Sequence, residues 1–285
     1  MAEVPEGSVA IEDRVFLMDY VEFGVWYPGW VARSLMSAAR TETDEMRLRA
    51  LGVEIFRNAY MQLEVLVQWF YALEKWEPNR RSLLGTLKGI KVIEESKCST
   101  EDALRRVGQM SPDELIAALK VPSEEQMRER GQREDAGEIS KRGFHGLVEW
   151  LPSALGARGL YEGAMVRAYN GVKHGATIMG FNFVREESAP SVALIGRVSA
   201  QAQGKVSAEF WELACGLEML EGLVSVTRRG CVFLAGVLGV VAWYHFTQSD
   251  WQQYAAWWVS SLTQNAARMF EGWDEFLGIL GMERT

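Results

Sequence analysis

TDEMRLRALGVEIFRNAYMQLEVLVQWFYALEKW, residues 43–76, carries apolar side chains at Leu48, Leu51, Ile55, Ala59, Leu63, Leu66, Phe70 and Leu73. The steps between them are three or four residues throughout, the spacing that stacks side chains on one face of an α-helix. The segment therefore predicts one long amphipathic helix from about Thr43 to Trp76, stopped by Pro78, whose ring and missing N–H end a helical ladder. An apolar face of that length must be covered by other elements, so this helix sets the fold class: helices packed around a shared core.

Working outward, three helix starts follow it. Ser99 is followed three residues on by Asp102, Ser111 is followed by Pro112 and Glu114, and Ser123 by Gln126. Each hydroxyl is placed to accept from a first-turn N–H, and Pro112 stands where proline is best tolerated. Residues 126–143, QMRERGQREDAGEISKRG, mix both charge signs with almost no apolar content, which predicts an exposed loop and the best internal boundary. Upstream, residues 1–42 carry Phe16, Tyr20, Phe23, Trp26, Tyr27 and Trp30 without a clear period, with a turn at Pro28 and Gly29. They are expected to form an N-terminal lid or short helices over a domain spanning 43–285.

Helical spacing returns at 160–175 and then changes period. Two β-prone runs, 177–184 and 191–198, flank the polar turn REESAP and predict a β-hairpin. After it we expect a helix from near Ser207 to about Arg229, then the apolar segment Gly230 to Phe246, then a helix opened by a Ser249 and Gln252 capping box. The apolar segment falls short of the ~20 residues of a membrane span and reads as a buried core helix. Trp243, Trp251, Trp257, Trp258 and Trp273 crowd the C-terminal part and read as core or subunit interface. The expected fold is mainly α, a helical bundle with one β-hairpin and a helical C-terminal extension.

With 285 residues, 48% hydrophobic and 24% charged, the chain falls outside the disordered, collagenous and disulfide-scaffold classes. A net charge of −8 rules out nucleic-acid binding by bulk positive charge, so such a site has to be local. Cys98, Cys215 and Cys231 are odd in number and far apart, which fits a reducing compartment. With no signal-peptide pattern at the start, the expected location is the cytoplasm, without a membrane partner. Phosphate-loop, dinucleotide, H-E-x-x-H and G-x-S-x-G patterns are absent, and only His145, His174 and His245 are histidines. No cofactor and no metal are expected; His145 with Glu149 supplies at most two ligands.

The segment with chemical content is LYEGAMVRAYNGVKHG, residues 160–175. On a helix, Arg167, Asn170 and His174 share one stripe, opposite Tyr161, Met165, Ala168 and Val172. An arginine grips a phosphate, a histidine moves a proton near neutral pH, and an asparagine orients either. The stripe therefore suits a phosphodiester. The structural alternative pairs Arg167 with an acid such as Glu64 on the long helix, leaving Asn170 as a cap and His174 without a task. Arg57 and Asn58, with Glu54 and Glu64, read either as support for the stripe or as the solvated face of their helix. Arg80, Arg81, Lys88, Lys91 and Lys97 form the most basic stretch, interrupted by Glu94 and Glu95, and read as solvated surface.

The run VRAYNGVKHG, with Arg167 and His174 separated by six residues, resembles the signature of the HEPN superfamily (higher eukaryotes and prokaryotes nucleotide-binding domain). Asn170, Lys173, His174 and Gly175 are similar to its N-x-x-K-H-G variant, and EIFRNAYMQLEVLVQWFYALEKW is similar to its first core helix. The resemblance covers about residues 43–175 and a following helix. It implies a helical bundle, often a homodimer whose two motifs share a cleft, and metal-independent endoribonuclease activity in toxin or antiviral defence. Arg167 would then hold the phosphate, His174 would be the general acid or base, Asn170 would orient it, and Glu64 and Lys173 would support them. The rival is a non-catalytic helical module that binds a nucleotide or, through the Trp-rich C-terminal region, a protein partner; Ala168 after the arginine and the acidic balance favour it.

Overall fold

The computed structural model describes residues 16–77 except 18, then 100–121, 125, 163–173, 178–179, 190–200 and 206–245, and between 257 and 270 all but 258, 259, 263 and 266. The long helix forms over nearly the predicted span as α2 (Glu45–Lys75), preceded by a π-helical turn at Tyr20–Gly24 and by α1 (Tyr27–Thr41). The Asp44 side chain accepts from the Arg47 N–H at 3.0 Å, satisfying one of the donors every helix start leaves open. Then come α3 (Thr100–Gln109), α4 (Pro112–Ala118) and α5 (Gly163–Lys173). β1 (Ile178–Met179), β2 (Ser191–Ala200), β3 (Val206–Ala214) and α6 (Leu217–His245) complete the order. The described residues are mainly α-helical.

Helix α2 is the axis of the molecule. At about 1.5 Å per residue it is long enough to serve two apolar clusters in succession. Its C-terminal half, from Leu63 to Leu73, is buried with Leu17, Val21 and Trp26 before α1, with Val232 to Val241 on α6, and with Met269 and Phe270. Its N-terminal half, from Val53 to Tyr60, is buried with Ala32 and Met36 of α1, Ala168 and Tyr169 of α5, Val192 and Leu194 of β2, and Leu213 of β3. Each fully buried Leu or Phe stabilises the fold by roughly 1.5–3 kcal/mol relative to exposure. The buried surface of α2 is wider than the eight predicted positions, because α1, α5, the sheet and α6 approach from different sides.

Two glycines allow that approach. A Cβ at Gly230 on α6 would lie 2.8 Å from Cγ of Gln62, and one at Gly52 on α2 would lie 2.6 Å from Sγ of Cys215. Helices α3 and α4 cover the C-terminal half of α2 through Val107, Leu115 and Leu119. The start of α4 is the predicted capping box: Ser111 Oγ accepts from Glu114 N at 3.3 Å, and the Glu114 carboxylate accepts from Ser111 N at 2.7 Å. The starts at Ser123 and Ser249 and the charged run 126–143 lie outside the described residues, as do all of 1–15.

The sheet is antiparallel with strand order β1-β2-β3. Ile178 pairs with Leu194, so the predicted hairpin partners meet, although only 178–179 of the first run is described. The expected helix from Ser207 to Arg229 is corrected: Val206–Ala214 is a strand, in register from Ala200↔Val206 to Ser191↔Ala214, with an irregularity between Ile195 and Arg197. Its alternation carries Trp211 and Leu213 to the core, a gain in burial that a surface helix there would lose. Helix α6 starts after Gly216 and runs without a break through the apolar segment to His245. It is long and apolar enough to cross a membrane by composition, yet 78% of that window is buried inside the fold.

Candidate functional site on helix α5

Among the described side chains of α5, Ala168 and Tyr169 are buried, Val172 is partly buried, and Asn170 and Lys173 are exposed. Ala168 is small enough to let α5 lie close to the sheet, and the Tyr169 ring fills the seam with α2. That ring stacks on Tyr60 with centroids 5.3 Å apart and meets Phe56 edge-on at 6.5 Å, while Phe56 stacks on Trp211 of β3 at 5.2 Å. Four aromatic rings from α2, α5 and β3 thus hold α5 by large buried area and favourable ring geometry.

At the edge of this aromatic group lies Glu64. Its carboxylate accepts from the Tyr169 hydroxyl at 2.9 Å, and the Lys173 ammonium donates to both of its oxygens at 2.9 Å. Lys173 Nζ also stands 5.7 Å from the Tyr169 ring centroid, within cation–π range. Burial raises the Tyr169 hydroxyl's pKa, and the Glu64 charge raises it further, so the phenol stays a neutral donor. Burial does the same to Tyr60.

The structure brings together two of the predicted residues, Glu64 and Lys173. Glu64 accepts from both Lys173 and Tyr169. By helical geometry Arg167 and Lys173 project about 120° apart with Asn170 midway. Arg167 is partly buried and Asn170 exposed. His174 follows the last residue of α5 and lies outside the described residues, as do His145, Glu149, Tyr161 and the basic stretch 80–97. Asn58 is not on a solvated face: it is buried, and its Nδ2 donates to the Pro28 carbonyl at 2.9 Å, tying α2 to α1. Arg57 is exposed and 3.7 Å from Glu54. Of the five C-terminal tryptophans, Trp243 falls on α6 and Trp257 is partly buried against the first cluster, while Trp251, Trp258 and Trp273 lie outside the described residues.

No family model, curated protein or solved structure matches this chain. The site is therefore read from its own residues. Tyr169 is the one the sequence left unremarked; its place between Ala168 and Asn170, about 100° from the polar stripe, is the only signal it gave. Among the described residues no three His, Cys, Asp or Glu side chains gather as metal ligands would. What the arrangement offers chemically is a helix end fixed by a carboxylate that ties a cation and a phenol, with an exposed amide one turn back.

Proposed function

We propose that the α5 stripe is a metal-independent endoribonuclease site, in keeping with the HEPN resemblance. In this reading His174 removes the proton from a ribose 2′-OH, the freed oxygen attacks the adjacent phosphorus, and the 5′-oxygen leaves with a proton from an acid or water. The products are a 2′,3′-cyclic phosphate and a 5′-hydroxyl. Arg167 balances the charge building on the non-bridging oxygens, and Asn170 orients the phosphate or the imidazole by hydrogen bonding.

The observation that supports this reading is the lock on the last turn of α5. Tyr169 and Lys173, five residues and one residue before His174, both donate to Glu64 of the central helix at 2.9 Å, the buried Tyr169 contact being the stronger of the two. A general base needs a fixed position more than a strong one, because misplacement by about 1 Å costs on the order of 100-fold in rate. In this reading Lys173 serves Glu64 and the phosphate-binding charge is that of Arg167.

The test is incubation of purified wild-type, His174→Ala and Arg167→Ala protein with mixed RNA in EDTA, reading fragments and end groups. Cleavage to cyclic phosphates by the wild type, lost in both folded variants, is the expected result. Cleavage that persists in His174→Ala rejects the assignment. A second reading, a non-catalytic module binding a nucleotide or a protein partner, is favoured by one observation: Phe23 and Tyr27 are 57% and 48% exposed and lie against each other at 5.6 Å, beside Trp30. Intact RNA with retained binding to the wild type supports that reading.

A further inference from the structure

Gln62 stands one turn after Asn58 on the core side of α2 and is 1% exposed. Both atoms of its amide, Nε2 and Oε1, are buried, and among the described residues neither has a hydrogen-bond partner. A primary amide carries two N–H donors and two acceptor lone pairs, and interior polar groups of this kind are almost always paired, with protein or with ordered water. Asn58 shows the same chemistry satisfied: its Nδ2 donates to the Pro28 carbonyl at 2.9 Å.

The surroundings of the amide follow from three contacts. Gly52 of α2 lies against Leu220 and Gln62 against Gly230, equal steps along both chains, so α2 and α6 run parallel. Helix α1 runs against both: Pro28 meets Asn58, Gly29 meets Cys231, and Arg40 at the other end meets Glu221. Gly29, Gln62 and Gly230 therefore share one layer in which three helices converge and two of them contribute no side chain. Trp26 precedes Gly29 by three residues and so lies on the same face of α1, in the first cluster with Cys231 and Leu66. Its Nε1 is a further buried donor with no partner among the described residues.

A group that satisfies this layer has to accept from an amide N–H and an indole N–H, donate to a carbonyl oxygen, and be small. An ion gains nothing there, since the amide and the indole are neutral. Water meets all of these conditions, and two to four polar partners are what a buried water requires. We propose that ordered water is sealed in the layer between α1, α2 and α6, accepting from Gln62 Nε2 and Trp26 Nε1 and donating to Gln62 Oε1. The water also fixes the register of the two parallel helices. A slip of α6 by one turn would set Val226 or Leu234 where Gly230 now stands, closing an apolar side chain over the amide. This inference stands apart from the catalytic reading, since α5 takes no part in it.

The experiment is water-selective NMR on the full ¹⁵N-labelled chain, with the Gln62 side-chain amide identified by its loss in Gln62→Met and the Trp26 indole by its loss in Trp26→Phe. The expected result in the wild type is a cross-peak from water to both groups, with the rotating-frame sign of dipolar contact, which proton exchange does not give. Urea unfolding supplies a second reading. Methionine has nearly the shape of glutamine without its polar atoms, so Gln62→Met separates a hydrated amide from an unpaired one. Loss of the hydrogen bonds to water should lower the folding equilibrium constant about five- to thirtyfold, whereas removal of an unpaired amide should raise it. Absence of dipolar water contact at either group of the wild type, or a Gln62→Met variant more stable than the wild type, would overturn the proposal. If Gln62→Met does not fold, assigning the amide through its own spin system in the wild type leaves the water contact decisive.

Discussion

The Glu64 junction should be held chiefly by its tyrosine and only weakly by its lysine. The two contacts have the same 2.9 Å length, so distance does not rank them; environment does. Tyr169 is 2% exposed, whereas the Lys173 side chain is 42% exposed against 13% for Glu64. A hydrogen bond from a buried phenol to a carboxylate is worth about 1.5–3 kcal/mol. An ion pair whose cation is largely solvated is worth about 0–1 kcal/mol after screening and side-chain ordering. Tyr169→Phe keeps the ring stacked on Tyr60 and removes only the hydroxyl, so it should cost about 2 kcal/mol, or roughly 4–8 °C in Tm for a chain of this size. Lys173→Met should cost under ~1 kcal/mol. The assay is urea unfolding of the single variants and of the two double variants with Glu64→Gln, from which coupling energies follow. Coupling of Glu64 to Tyr169 should exceed its coupling to Lys173 by about 1 kcal/mol. A Lys173→Met loss equal to or larger than that of Tyr169→Phe would refute the reasoning.

Gly230→Ala should destabilise despite alanine's better helix propensity: the ~1 kcal/mol gained is outweighed by ~1–3 kcal/mol of overpacking against Gln62, and a raised Tm would contradict the close approach of α6 to α2. Ser111→Ala removes the cap of α4 and should cost ~1 kcal/mol in urea unfolding, with no loss expected only if α4 frays in the native state. The Glu114 carboxyl is held below its usual range by the Ser111 backbone N–H and then by its hydroxyl. Its contribution is therefore complete above the unfolded pKa and fades as pH falls through the lower folded value, so Glu114→Gln should flatten the acid side of the stability profile below pH ~4.5, whereas Ser111→Ala, which keeps the backbone donor, should flatten it only in part. Burial pushes the Cys231 thiol up to about 12 and that of Cys215 up to about 11. In a Cys98→Ser background, neither should react with a disulfide reagent at pH 8 faster than the protein unfolds; a fast phase would place one of them at the surface.

The central helix was legible in the sequence because its period is unbroken and its ends carry local stop and start chemistry. The Ser111 box was legible for the same reason. β3 was not: VSAEFWELA contains residues of good helix propensity, and Ser207 stands where an N-cap would. Both of its faces carry apolar residues, one for the core and one exposed, so alternation was hidden in composition. What decides its conformation is distant in sequence: Trp211 stacks on Phe56 and Leu213 joins the second cluster. The α5 site was half legible. The polar stripe follows from angular spacing alone, but the partner of Glu64 depends on which side of α5 meets α2, and that is set by the buried pair Ala168 and Tyr169. Helix periodicity names faces; only packing assigns them to neighbours.

The placement of α2 also bears on how the protein is made. Both clusters have one wall supplied by residues up to 77 and the other by segments that end only at Phe270 in the first cluster and at Val224 in the second. During synthesis at ~5–20 residues per second, the apolar faces of α1 and α2 leave the ribosome roughly ten seconds or more before their partners on α6 exist. The nascent chain must therefore carry an amphipathic hairpin of two helices through that interval, sheltered by a chaperone or by transient self-association. Slow translation between 77 and 217 would lengthen the exposure and lower the yield of folded protein, even though no residue in the finished molecule had changed.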